Sequence, residues 1–314
     1  MTPRRLLRLT AAAIVAVAAA LWLSTVHEPG GTVGLGERLY PSLRELINDV
    51  NSITIVKGES ASVTLRSADD GWKVEQRSGY AADLSKVRRL LLALAEAQLL
   101  EEKTSRPENY PALDVEDPGS GEKTSTRVDL SGIEPAVSLI VGKRGPGADS
   151  TYVRRAGESA SWLIDKALEV PGEPAGWLAP EIVDIGADRI QSAAIEIAGG
   201  RSYTAVKPAR TSAEFEVSGL AKGEELSSAG AASGFATALL ALRLDDVRPA
   251  GELEEKWSAR AVYRTFDGLV LELEGRRKDD EHYLSVHTQF DPEQAERFQV
   301  AVADTPADET QDSP

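Results

Sequence analysis

The chain has 314 residues, with 50 acidic and 35 basic side chains giving a net charge of −15. That balance argues against nucleic acid, whose phosphates select basic surfaces, and equally against tight docking on anionic lipid; it fits a solvated surface. A hydrophobic fraction of 42% supports a packed core, and the absence of cysteine removes disulfides, thiolate nucleophiles and cysteine metal sites.

Residues 9–26, LTAAAIVAVAAALWLSTV, run eighteen positions without a charge. As a helix they would span about 27 Å, close to the ~30 Å hydrocarbon core of a bilayer. Arg4, Arg5 and Arg8 precede this run and no base follows until Arg38, so the positive-inside rule keeps residues 1–8 cytoplasmic and sends the rest across. Trp22 fits the interfacial aromatic position. A cleaved signal peptide is the competing reading, with Ala18 and Ala20 as its small residues. Cleavage there would leave the apolar stub LWLSTV, so the single-pass anchor of a cell inner membrane is preferred, with the bulk of the chain extracytoplasmic (periplasmic).

Residues 27–50 hold a Gly-rich spacer and then a short helix over 40–50, with Ser42 as N-cap and Leu43, Leu46, Ile47 and Val50 on one face. From Asn51 the period becomes two. SITIVKG, ASVTLRS and GWKVEQR read as strands, with Asp70-Gly71 a hairpin signal. A helix follows over 83–100, capped by Asp83, with Leu84, Val87, Leu91 and Leu94 as its apolar stripe and Lys86, Arg89 and Glu96 opposite. Residues 103–124, with Pro107, Pro111 and Pro118, read as an irregular loop. TRVDLSG, AVSLIVGKR, STYVRRA and ASWLIDK are further strands, and Pro171, Pro174 and Pro180 make a linker.

The order then recurs. Two strands flank Gly199-Gly200, AEFEVSG is a third, and a helix over 227–244 carries Phe235, Leu239 and Leu242. A hairpin turns across Asp267-Gly268, and EHYLSVHTQF is the last strand. The expected architecture is therefore α+β: a transmembrane helix followed by two tandem repeats, each an antiparallel sheet with one packed helix, over 51–170 and 189–302. Residues 171–188 link the repeats, and 303–314 form an acidic tail without apolar content, expected to be disordered.

Chemistry-bearing patterns are sparse. His282 and His287 lie five apart in a strand and face opposite sides, so they cannot share a metal. Acidic pairs such as Asp69-Asp70, Glu101-Glu102, Asp245-Asp246 and Asp279-Asp280 read as solvated turns, not as two carboxylates facing across a cleft. Gly121-Glu122-Lys123-Thr124 and Gly142-Lys143-Arg144 lack the spacing of a phosphate loop. Ser120-Gly121-Glu122-Lys123 matches Ser-x-x-Lys, but its companion motifs are missing. No catalytic, cofactor or metal residue is expected. Of the Trp residues, core packing is the preferred reading.

Tyr40-Pro41-x-Leu43, Tyr80-Ala-Ala-Asp83, Lys103-Thr104, Tyr110 and Leu113 resemble one block of a known family. Val141-Gly-Lys-Arg144, Tyr152-Val-Arg154, Trp162-Leu-Ile-Asp165, Trp177-Leu178 and Ile182-x-Asp184-Ile185 resemble a second. Together, over about residues 38–200 and more loosely beyond, they are similar to the bacterial domain-of-unknown-function family numbered 4340. The resemblance implies a setting: auxiliary proteins found with gliding-motility-type ABC transport systems, beside a permease. On this reading the chain is a non-catalytic accessory or binding component. The alternatives are a module for an exported ligand or cell-wall polymer and, behind it, an exported hydrolase. Leu113-Asp114 departs from the family's usual Leu-Gly. Trp72, Trp162 and Trp177 read as core anchors, and Gly142 as a turn glycine.

Overall fold

The computed structural model describes residues 36–58, 60–119, 125–228, 230–238, 241–253, 256–278 and 280–298. The anchor over 9–26, the Ser-x-x-Lys at 120–123 and the tail over 303–314 lie outside these residues. Among the described residues no helix is long and apolar enough to cross a membrane. The chain is α+β and mostly sheet, divided into two units that meet between Leu178 and Ala179.

In the first unit, α1 (Leu43–Leu46) and a 3-10 turn (Ile47–Asp49) replace the single helix expected over 40–50. Ser42 makes no capping bond, so nothing holds a longer helix open at its start. Then come β1 (Ser52–Lys57), β2 (Ser60–Ala68), β3 (Gly71–Val74) and β4 (Tyr80–Ala81), followed by α2 (Leu84–Glu96) and β5 (Leu99–Thr104). The unit closes with β6 (Thr126–Ser131), β7 (Val137–Arg144), β8 (Thr151–Arg155) and β9 (Ser161–Ile164). These strands form one sheet in the order β4-β3-β2-β1-β6-β7-β8-β9-β5, every neighbour antiparallel.

The Asp83 cap of α2 is as expected: its carboxylate accepts from Ser85 N at 2.9 Å and Lys86 N at 3.2 Å. Asp83→Ala should cost about 1 kcal/mol, read as a lower urea midpoint at unchanged slope. The buried face is Val87, Leu90, Leu91, Leu94 and Ala95; Leu84, expected in the stripe, is exposed. The helix also stops earlier than its apolar pattern suggests. Residues 99–104 leave the helix to pair with β9, so part of the expected loop is the edge strand β5, and a 3-10 segment (Pro107–Leu113) follows it.

Leu139 and Ile140 are neighbours on β7 and point to opposite faces, yet both are fully buried, so both faces of the sheet are covered there. On the Ile140 side the cover is Tyr110 and Val115, with Leu113, Tyr152 and Ala156 packed alongside. This corrects the reading of Gly142. It is no turn glycine but a strand residue two places on from Ile140, where the covering segment touches the sheet. A β-carbon there would meet Leu113 O at 2.2 Å and Val115 Cγ1 at 2.8 Å. Gly142→Ala should therefore cost about 1–3 kcal/mol by overpacking. A Gly142→Ala midpoint equal to wild type in urea would refute that close approach.

Of the stretch 171–188 read as a linker, residues 171–178 fold onto this first unit and the rest belongs to the second. A 3-10 turn (Pro174–Trp177) presents Trp177, which is fully buried and donates Nε1–H to Pro171 O at 2.8 Å. Trp162 is likewise buried, whereas Trp72 is only half-buried and is no core anchor.

The second unit contains β10 (Glu181–Asp184), β11 (Ile190–Ile197), β12 (Ser202–Val206), β13 (Glu216–Ser218) and α3 (Ala231–Thr237). It continues with β14 (Ala241–Arg243), β15 (Ala259–Thr265), β16 (Leu269–Lys278), β17 (Glu281–Phe290) and α4 (Pro292–Arg297). Six strands pair as β13-β12-β11-β15-β16-β17, and β10 pairs with β14. The core gathers Val183, Ile190, Phe215, Tyr263, Leu271 and Leu273 around small residues such as Ala193, Ala232 and Ala236. The helix expected over 227–244 is shortened to seven residues. Leu242 sits instead in β14, packed against that core, and Leu239 lies outside the described residues. Gly230, Gly234 and the run of alanines supply little apolar area to hold a longer helix.

Candidate functional site

A concavity of the first unit lies between α2 and residues 167–171. Its volume is about 80 Å³. Leu90, Ala93, Leu168 and Pro171 give an apolar lining, and Lys86 and Arg89 a cationic one. The segment opposite the helix is held by several bonds. Asp83 N donates to Trp177 O at 2.7 Å, and Lys86 Nζ donates to Gly176 O at 2.7 Å. Ala82 and Leu178 form a β-bridge. Glu169, at the rim, is paired with Arg144 at 2.8 Å.

The charges on α2 run against the preference of the helix itself. The macrodipole favours acids in the first turn and bases in the last. Here Lys86 stands in the first turn, Arg88 and Arg89 follow, and the last turn holds no base. Arg88 and Arg89 are exposed and have no acidic partner among the described residues. Leu92, between them on the outer face, is 51% exposed.

The chain joins the unit at the C-terminal end of this helix. Leu39 N donates to Ala97 O at 2.7 Å, Leu99 N to Glu37 O at 2.8 Å and Gly36 N to Leu99 O at 2.9 Å, so residues 36–39 run antiparallel to 97–99. Arg155 fixes the next turn: Nη2 donates to Leu39 O at 2.7 Å, and its guanidinium lies 5.6 Å from the centre of the Tyr40 ring. Tyr40 OH donates to Ser138 O at 3.1 Å, and burial pushes the phenol well above its ordinary range.

The residues singled out in the sequence do not converge on this place. His282 and His287 stand on opposite faces of β17, paired across the strand with Arg277 and Glu272. Glu101 and Glu102 lie on β5, where Glu101 meets Lys103 and Glu102 accepts from Ser105 Oγ at 3.0 Å. Asp70 sits in the β2–β3 turn, where a hydrogen bond from Lys73 holds its carboxyl below the usual range. Gly142-Lys143-Arg144 is strand. The groove was missed because its lining comes from helix residues and from a stretch read as linker. The signal in the sequence was the run Lys86-Val-Arg88-Arg89 at a helix start.

One buried group stands apart from the groove. The Tyr263 hydroxyl, in the core of the second unit, has no hydrogen-bond partner among the described residues, and burial pushes its pKa up to about 12. An unfolded phenol ionises near about 10, so stability should fall as pH rises from there toward 12. Tyr263→Phe, which removes this group's share and leaves that of the buried Tyr40 phenol, should reduce that slope in a pH series of thermal melts.

An antiparallel α+β protein with an apolar, cation-edged groove is the class these features define. The chain belongs to the family described as Domain of unknown function (DUF4340), whose sequence model matches residues 72–257. That span opens past Tyr40-Pro41 and runs well beyond residue 200, so it takes in more of the second unit than the motif blocks did. No curated protein matches the chain.

Proposed function

We propose that this protein is a membrane-anchored, extracytoplasmic accessory component of an ABC-type transport or cell-envelope complex, acting by binding and not by catalysis. The observation that carries this reading is the place where the chain joins the first unit. Only residues 27–35 separate the apolar run 9–26 from the β-pairing that begins at Gly36. Nine residues reach at most about 30 Å even when fully extended. With 9–26 as a single-pass anchor and residues 1–8 cytoplasmic, the first unit is confined to the outer surface of the inner membrane, where the extracytoplasmic loops of a permease would lie. The resemblance of the motif blocks to that family implies the same setting.

The groove favours this over an exported ligand- or polymer-binding module. At about 80 Å³ it accommodates one aliphatic side chain, well short of the ~300 Å³ of a usual ligand pocket, and no aromatic ring lines it. Two tandem repeats are part of the proposal. The orders β3-β2-β1-β6-β7-β8 and β13-β12-β11-β15-β16-β17 correspond strand for strand and support duplication. Mild-detergent extraction followed by affinity purification tests the function. Recovery with a permease and its ATPase is expected; a protein that always runs alone would overturn the reading.

A further inference from the structure

We infer that the outer face of α2 rests on anionic phospholipid at the membrane surface, an inference that rests on the anchored reading above. Two independent observations lead to it. The first is position: residues 36–39 pair with Ala97–Leu99 directly after α2. The helix is about 20 Å long, and the nine residues between the apolar run and Gly36 extend no further than about 30 Å. The whole helix is therefore tethered within reach of the bilayer, which raises the effective concentration of lipid around it.

The second is charge. The helix carries Lys86, Arg88 and Arg89 against one acid, Glu96 at its last residue, which Lys166 Nζ pairs at 3.7 Å, in a chain whose net charge is −15. Arg88 and Arg89 have no acidic partner among the described residues, and both lie in the N-terminal half, where the dipole gives cations no support. Leu92 is exposed between them and Leu84 flanks them. Leucine among arginines on one helix face is the pattern of an interfacial contact, with the apolar side chain at the headgroup boundary and the cations on lipid phosphates. The net acidity of the chain argues against tight docking of its surface at large, so the contact inferred is confined to this cationic face.

Because the chain has no cysteine, a single Leu92→Cys carries an environment-sensitive fluorophore at one known place; Glu108→Cys, on the Pro107–Leu113 turn, is the control. The full chain is reconstituted into vesicles of phosphatidylcholine alone or mixed with phosphatidylglycerol, and insertion is read separately by resistance to alkaline carbonate extraction. The expected result is an inserted chain whose label at position 92, but not at 108, shifts to the blue only with phosphatidylglycerol. That shift should collapse in roughly 0.5 M salt. Arg88→Glu with Arg89→Glu should lower the docked-to-free ratio on the order of a hundredfold. An inserted chain with equal emission on both vesicles, or with equal shifts at both labels, overturns the inference and leaves the anchor standing. A chain that washes off the vesicles overturns both.

Discussion

Trp177→Ala is expected to lower the stability of the first unit by about 3–5 kcal/mol, the range for deleting a large buried aromatic side chain. The indole is fully buried and its Nε1–H is bonded to Pro171 O. Its removal leaves a cavity and an unpaired carbonyl together. The substitution also loosens the stretch that forms one wall of the groove, because Pro171 and Leu168 belong to the segment that Trp177 pins. Urea unfolding followed by circular dichroism reads the loss. Trp177→Phe, which keeps most of the buried area, should recover the larger part of it. A Trp177→Ala midpoint close to that of wild type would mean that the 171–178 stretch is not part of the core.

Arg154→Ala is expected to cost about 3 kcal/mol, through a different mechanism. Arg154 is buried on β8, and its guanidinium bonds three groups: Nε donates to Val115 O at 2.9 Å, Nη1 to Glu158 O at 2.9 Å and Nη2 to Asp117 Oδ2 at 2.8 Å. It also lies 4.6 Å from the centre of the Tyr110 ring. The Asp117 side chain is 66% exposed, so that ion pair adds little by itself. The cost comes from two backbone carbonyls that lose a charged donor, and from the stacking on Tyr110. Arg154→Lys keeps the charge but not the planar fork and should restore only part of the stability. Limited proteolysis gives a second readout, since residues 107–117 should be cut sooner in Arg154→Ala. A loss within about 0.5 kcal/mol, as for an ordinary surface change, would show that Arg154 does not hold this segment.

Trp177 sits in a stretch whose sequence looked irregular, and Arg154, on a strand, holds another. Residues 103–124 and 171–188 are rich in proline and charge, and neither carries a period of 2 or 3.6. What holds the parts around Tyr110 and Trp177 is contact with distant groups: Ser159 O for the Tyr110 hydroxyl, at 2.6 Å, and Asp83 N for Trp177 O. Such pairings leave no local pattern to read. The same holds for β5, where Leu99 and Leu100 extend the apolar run of α2 and nothing nearby says that the chain turns to pair with β9.

What the sequence alone determined is what alternation, turn chemistry and motif order carry. The hairpins at Asp70-Gly71 and Asp267-Gly268, the capped start of α2, the strands β1–β3, β6–β9, β11–β13 and β15–β17 and membership of the family all follow from residues close together in the chain. Tertiary structure decided where each element stops, which strands lie at the edges, and the groove itself. The groove unites residues near position 89 with residues near position 169, and only folding brings those together. The reversed charge order of α2 was visible in the sequence from the start. It became a surface with a direction only when residues 36–39 were seen to join the unit at the end of that helix.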